Sequence, residues 1–257
     1  MTSKHVVFIH GLFMNPKSWD SWKAYFQARG YTCHTPAFPY HEGNPEELRK
    51  DPDARLARVT FRDVINTLVK FIDQLPEKPI LIGHSVGALA VQKLINLDKG
   101  AAGICINSAP PLFIFTTTWS FVTTNIPVVN PFKGNSIFYP TVDWFHRAFC
   151  NTLTMAETEK EFNQFVVPES RNIPRSITGP QGSIDFKKPH VPLLLTSGDR
   201  DTIVPADLNR KNHRAYAGSS GITDYVSFQG RSHYICGQPG WEEVADYCLS
   251  WLQKVMR

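Results

Sequence analysis

The stretch Gly83-His84-Ser85-Val86-Gly87 limits what this chain can fold into more than any other part of it. It reads Gly-x-Ser-x-Gly between two runs of different period. Ahead of it Ile80-Leu81-Ile82 is continuously apolar, as in a buried strand. Behind it Ala88, Leu89, Val91, Leu94 and Ile95 fall at amphipathic helical spacing. A strand that becomes a helix this abruptly needs a strained turn, and the flanking glycines keep side chains out of neighbouring backbone. A serine on such a turn stands exposed above the sheet edge. The helix N-terminus behind it offers backbone N–H groups and partial positive charge to a developing oxyanion. The pentapeptide also arises by chance, and a serine there can merely cap a helix. The flanking strand and helix make Ser85 a candidate nucleophile.

The remaining elements alternate. Strands are expected at His5-Val6-Val7-Phe8-Ile9, Tyr31 to Thr35, Ile80 to Ile82, Gly103 to Asn107, Val191 to Thr196 and Asp224 to Phe228. A helix with Trp19, Trp22 and Phe26 is expected to be capped by Ser18 and to end near Gly30. Thr60 and Asp63 have the spacing of a capping box. They precede Phe61, Val64, Ile65, Leu68, Val69, Ile72 and Leu75, a 3.6-residue period closed by Pro76 and Pro79. Further helices are expected at about Ala206 to Tyr216 and Trp241 to Leu252. Apolar strands alternating with helices imply an α/β fold, a mostly parallel sheet of about six strands flanked by helices. Ligands of such sheets bind at the carboxyl ends of the strands, where Ser85 would stand.

The alternation breaks from Pro110 to Pro189, which contains no clean strand but many aromatic residues, Phe113, Phe115, Trp119, Phe121, Phe132, Trp144, Phe145 and Phe149 among them. So aromatic a stretch cannot be a solvated loop. A small helical subdomain with its own core is expected, some of its rings lining an apolar pocket over Ser85.

A serine hydroxyl needs a base to take its proton and an acid to orient that base. Each is available in a turn after an expected strand. Ser197-Gly198-Asp199-Arg200-Asp201 offers two carboxylates, and Asp201 is favoured over Asp199 because it immediately precedes the Thr-Ile-Val-Pro turn. The loser would serve as a turn former. Gln229-Gly230-Arg231-Ser232-His233 offers His233 before the last helix, in the chain order Ser, Asp, His. His84 adjoins Ser85 but would point elsewhere on a sharp turn. The second oxyanion donor, besides the N–H of Val86, is expected from Leu12, since Gly11 allows close backbone approach. His10 is expected to hold that loop through backbone hydrogen bonds.

With His10-Gly11-Leu12, Gly83-x-Ser85-x-Gly87, Gly198-x-x-Asp201 and Gly230-x-Ser232-His233 in this order, the chain resembles the α/β-hydrolase superfamily over nearly its whole length. The resemblance implies a core of residues 1–109 and 189–257 and a helical cap, 110–188, inserted after the strand ending near Asn107. It departs in lacking the family's first two strands, as do the compact esterases and hydroxynitrile lyases of the superfamily. It implies Ser85 as nucleophile, His233 as base and then acid, Asp201 as orienter, and the Leu12 and Val86 N–H groups as oxyanion hole. No metal or organic cofactor would be needed. Dehalogenases and epoxide hydrolases of this superfamily carry Asp at the elbow, so Ser85 speaks against both. Hydrolysis of carboxylic esters with an apolar acyl or alcohol group is expected first. Lactone hydrolysis, perhydrolysis or carbon–carbon bond hydrolysis are alternatives, and a non-catalytic small-molecule receptor is an alternative of another class.

The bulk properties agree with a globular protein acting on a small molecule. The net charge of +4 over 257 residues is mild, and no nucleic-acid-binding motif accompanies it. No run is long and apolar enough for membrane insertion. Cys33, Cys105, Cys150, Cys236 and Cys248 are scattered and odd in number, which fits a reducing compartment better than a disulfide framework. The polar opening, Met1 to Lys4, runs straight into a strand with no signal peptide, so a cytoplasmic location is expected.

Overall fold

A computed structural model describes residues 3–256, so Met1 and Thr2 of the polar opening, and Arg257, lie outside it. The chain begins with β1 (His5–Ile9), α1 (Asp20–Gln27) and β2 (Thr32–His34). Next come α2 (Pro45–Lys50), α3 (Phe61–Ile72), β3 (Ile80–His84), α4 (Val86–Asn96) and β4 (Ala102–Ile106). The segment that follows carries α5 (Trp119–Val129), β5 (Ile137–Phe138), α6 (Val142–Ala148), α7 (Met155–Phe165), β6 (Glu169–Ser170) and α8 (Asn172–Ile177). The chain closes with β7 (Leu193–Gly198), α9 (Ala206–Ala215), β8 (Thr223–Phe228) and α10 (Trp241–Val255).

Six strands form the expected parallel sheet, in the order β2-β1-β3-β4-β7-β8. Side chains alternate across it, as the period of two requires. Val6, Phe8, Ile80, Ile82, Ile104 and Leu194 pack with Trp22 and Phe26 of α1 and with Val244, Cys248 and Leu252 of α10. Val7, Ile9, Leu81, Cys105, Leu193 and Leu195 pack on the other face with α3 and α4. The inner strands β1, β3, β4 and β7 are covered on both faces, so they read as apolar runs. Each fully buried Leu or Phe contributes about 1.5–3 kcal/mol relative to exposure. The α3 capping box forms, with the Thr60 N–H donating to Asp63 Oδ2 at 2.8 Å. All five cysteines are free and buried.

Three local expectations change. α1 is not capped by Ser18: it starts at Asp20, after a 3-10 turn over Pro16–Trp19 whose cap is Asn15, accepting from the Lys17 N–H at 3.1 Å. Pro16 presets the turn, and the Ser18 hydroxyl donates back to the Asn15 carbonyl at 2.7 Å. β2 is shorter than Tyr31 to Thr35, covering Thr32–His34 at the sheet edge, where β1 is its one partner. Residues 110–189 contain a strand pair after all, β5 with β6, antiparallel in the register Ile137↔Ser170 and Phe138↔Glu169. Two-residue strands have no periodicity to detect. This pair is fixed from outside, by the buried Glu169 carboxylate 3.1 Å from His41 Nε2 and by the Ser170 hydroxyl donating to the Val59 carbonyl. Among the described residues no helix is long and apolar enough to cross a membrane.

Candidate active site

β3 runs fully buried into Ser85, whose backbone is forced to φ 57° and ψ −119° before α4 begins. That strain persists because the surroundings leave no alternative. A Cβ on Gly83 would lie 2.3 Å from the Gly87 carbonyl oxygen, and one on Gly87 2.3 Å from that of Ile9. The α4 N-terminus therefore packs directly on the end of β1. A Cβ on Gly11 would meet the Ser85 Cβ at 2.9 Å, so the loop after β1 passes against the serine.

That loop is pinned by His10. The Phe38 N–H donates to His10 Nε2 at 3.0 Å, so the proton sits on Nδ1 and is donated to the Gly11 carbonyl at 2.9 Å. Burial, and His41 beside it, pull the His10 pKa down to about 3, so the ring stays neutral and keeps this tautomer. Phe13 follows at φ 66°, its carbonyl accepting from the Val167 N–H at 2.8 Å. Leu12 and Val86 line the same cavity as Ser85, and among the described residues neither backbone N–H donates elsewhere in the protein.

His233 and Asp201 lie side by side, Nδ1 to Oδ2 at 2.6 Å, both side chains fully buried. The carboxylate accepts from every side. Oδ1 takes the Ile203 and Val204 N–H groups at 3.0 and 2.7 Å, and Oδ2 takes the Asn107 amide at 2.8 Å besides His233. Asp199 is outside this group: its side chain is partly exposed and accepts the Gly230 N–H at 2.7 Å, which ties the β7 loop to the β8 loop. His233 Nε2 is buried and, among the described residues, has no hydrogen-bond partner.

Two supporting residues had no legible signal. Asn107, just past β4 at φ 45°, donates to Asp201 and to the Ser232 carbonyl (3.2 Å) and accepts the Gly198 N–H (3.0 Å), joining the loops after β7 and β8. An Asn after a strand, in a backbone region it tolerates, reads as a turn. His84 does point away from the cavity, and it also holds the loop after β8: its Nε2 bonds the His233 carbonyl at 2.8 Å. Burial, then the neighbouring His233, pushes its pKa well down, so a neutral ring is the donor.

Above Ser85 lies a cavity of about 440 Å³. Its lining includes Phe113, Phe115, Phe121, Val129, Pro174 and Ile177 from residues 110–188, with Phe149, Ile203 and Val204 close to the His233–Asp201 pair. Among the described residues no ionisable side chain lines it; Ser85, Asn125 and Thr178 are its polar members. The Asn125 amide is already spent on the Phe121 and Ile203 carbonyls, at 2.9 and 3.0 Å. Phe149 meets the His233 ring edge-on, centroids 4.7 Å apart. Among the described residues no group of three or more His, Cys, Asp or Glu is arranged to hold a metal.

A strained serine between β3 and α4, with a His–Asp pair on the loops after β8 and β7, is the architecture of one large family. Residues 6–247 match the alpha/beta hydrolase family, and the chain belongs to it. Solved structures of similar fold cover both partners almost completely. A monoacylglycerol lipase of Paleococcus ferrophilus matches at TM-score 0.70 and 20% identity, over 98% of this chain and 95% of its own. An extracellular α/β-hydrolase of a Paenibacillus species, described as sharing structural and functional homology with tobacco salicylic acid binding protein 2, matches at 0.72 and 17%, over 98% and 99%. A pyrethroid hydrolase of Sphingobium faniae matches at 0.67 and 17%, over 98% of each. At such identities the likeness concerns the fold. Among curated proteins, no sequence matches.

Proposed function

We propose that this protein is a serine hydrolase cleaving carboxylic esters with a small-to-medium apolar acyl or alcohol group. The observation that carries this reading is the buried His233–Asp201 pair, packed behind the Phe149 wall of an apolar cavity with Ser85 in its floor. In this mechanism His233 Nε2 takes the Ser85 Oγ proton as the oxygen attacks the ester carbonyl. The Val86 and Leu12 N–H groups receive the oxyanion. His233 returns the proton to the leaving alcohol, then activates a water that frees the acid from Ser85. Asp201, held by its other three donors, keeps the ring in the tautomer with Nε2 free and stabilises the imidazolium.

The volume is within the range of small-molecule sites, about 300–1,000 Å³. Its want of charged groups favours uncharged esters, since an ionised substrate would be desolvated without a partner. A monoacylglycerol lipase among the proteins of like fold agrees with ester chemistry. Residues 110–188 act in this reading as a cap that sets substrate size. The free, buried cysteines fit a reducing, cytoplasmic location.

The test is turnover of p-nitrophenyl esters of increasing acyl length by the wild type and Ser85→Ala. Activity confined to the wild type, falling on Ser85→Ala by a factor of about 10⁴–10⁶ with an unchanged melting temperature, is the expected result. Equal background rates in both proteins would refute it.

A further inference from the structure

One part of the surface is built unlike the rest. From Phe113 to Phe132 large apolar side chains stand in water: Phe113 is 84% exposed, Trp119 80% and Phe132 95%, with Phe115 and Ile126 also exposed. α5, in the middle of this stretch, contains no charged residue. Its residues Phe121, Asn125 and Val129, four apart, line the cavity. Trp119 and Ile126, seven apart, occupy an outer face. A helix apolar on both faces is ordinarily covered on both, and a contiguous exposed apolar patch marks an interaction surface.

Charge indicates what covers it. From Lys99 to Val142 the sequence contains no Asp or Glu. Lys133 is exposed beside Phe132. The Arg171 guanidinium reaches the Pro127 and Val128 carbonyls, and that of Arg175 the Val129 and Asn130 carbonyls, at the end of α5. Among the described residues none of these three cations is ion-paired. At the Lys133 end of the patch, aromatic and aliphatic groups beside cations with no carboxylate partner complement a surface that is apolar inside and anionic at its boundary; at the Phe115 end Lys211, which donates to the Phe115 carbonyl, is paired with Asp207 at 2.8 Å.

We propose that this face docks on an anionic lipid bilayer, with Trp119, Ile126 and Phe132 in the interfacial layer, Lys133 against headgroup phosphates, and Arg171 and Arg175, held on the α5 carbonyls, adding positive charge behind it. Tryptophan is favoured at that depth because its ring is apolar and its N–H polar. The docking is peripheral and spans nothing. Phe113 and Phe115 belong both to the exposed patch and to the cavity lining, so apolar molecules pass from the lipid into the cavity without crossing water. The inference goes beyond the reading of Ser85 and does not depend on it.

The experiment is co-sedimentation of Ser85→Ala protein with phosphatidylcholine vesicles, with and without phosphatidylglycerol. Binding is expected with phosphatidylglycerol, weaker at high salt and weaker without it. Introducing Trp119→Ser and Phe132→Ser together is expected to reduce it by about tenfold or more. In an otherwise wild-type chain, the same pair leaves the melting temperature and turnover of a short water-soluble ester unchanged. Lys133→Glu, far less disruptive to folding, is expected to weaken binding to the anionic vesicles alone. Failure to bind them at low salt, or equal binding by the double variant, would overturn the proposal. So would a dimer in lipid-free buffer that the double variant abolishes, since a second copy would then cover the patch. A protein inactive on every ester that still bound vesicles would end the hydrolase reading and leave this one standing.

Discussion

The strand-end loops below the Ser85 cavity and the 113–132 stretch above it face the same space but are held by different forces. Below, position is set by directed hydrogen bonds: four donors converge on Asp201, and His10 and His84 each grip a loop. Above, α5 has few side-chain ties, chiefly the Asn125 amide and the two arginines at its end, and its large rings are partly in water. Hydrogen bonds decay steeply with angle and distance, so the lower wall specifies geometry to a fraction of an ångström. Apolar contact is non-directional, so the upper wall specifies volume and affinity while tolerating change. On the proposed function, a chemical centre fixed from beneath and a substrate pocket adjustable from above is the division that results.

The sharpest challenge to that division is within the lower wall. Asp201→Asn is expected to cut kcat by about 10⁴, because it disturbs the tautomer and leaves the imidazolium without its counter-charge. Asp199→Asn, at a partly exposed loop tie, is expected to change kcat less than about threefold. Steady-state kinetics on one ester rank the two, and the reverse order would reassign the acid.

Acidity should spare the 113–132 stretch, since residues 110–133 contain no histidine, and reach the lower wall through His10 and His84. The His10 pKa is lowered from 6.5 to about 3 and that of His84 well below 6.5, chiefly by burial. As pH falls from 6.5 toward 3 the unfolded chain takes up protons that the folded chain refuses, so stability is lost across that window. Thermal melts should show Tm falling there for the wild type. His10→Asn should be less stable near neutrality and fall less steeply. A parallel decline in both proteins would remove His10 from the account.

A gentler effect is expected above. Val129→Phe should shorten the preferred acyl chain and Phe121→Ala lengthen it, each moving relative kcat/KM by about tenfold, the worth of one or two methylenes. An unchanged chain-length profile in both would mean that substrate does not touch this wall.

Much of the lower wall was legible because its demands are local. Gly83 and Gly87 are imposed by carbonyl oxygens 2.3 Å from where a Cβ would sit, and that constraint leaves a motif within five residues. Parallel strands covered on both faces leave apolar runs, so the order of the sheet's elements could be read along the chain. The meeting of Asp201 with His233 was expected from their turns, but Asn107, which bonds to both loops, carried no local mark. The β5–β6 pair was equally hidden, since its cause is a carboxylate beside a histidine far away in sequence.

The sequence by itself determined the α/β alternation, the strained serine turn and the residue types available for acid and base, since each follows from periodicity or from steric limits inside a short window. Only the tertiary structure decided which carboxylate reaches His233, which aromatic rings line the cavity and which stand in water. Those outcomes depend on distances between segments far apart in the chain. Burial is set by what packs against a side chain, and no periodicity encodes that.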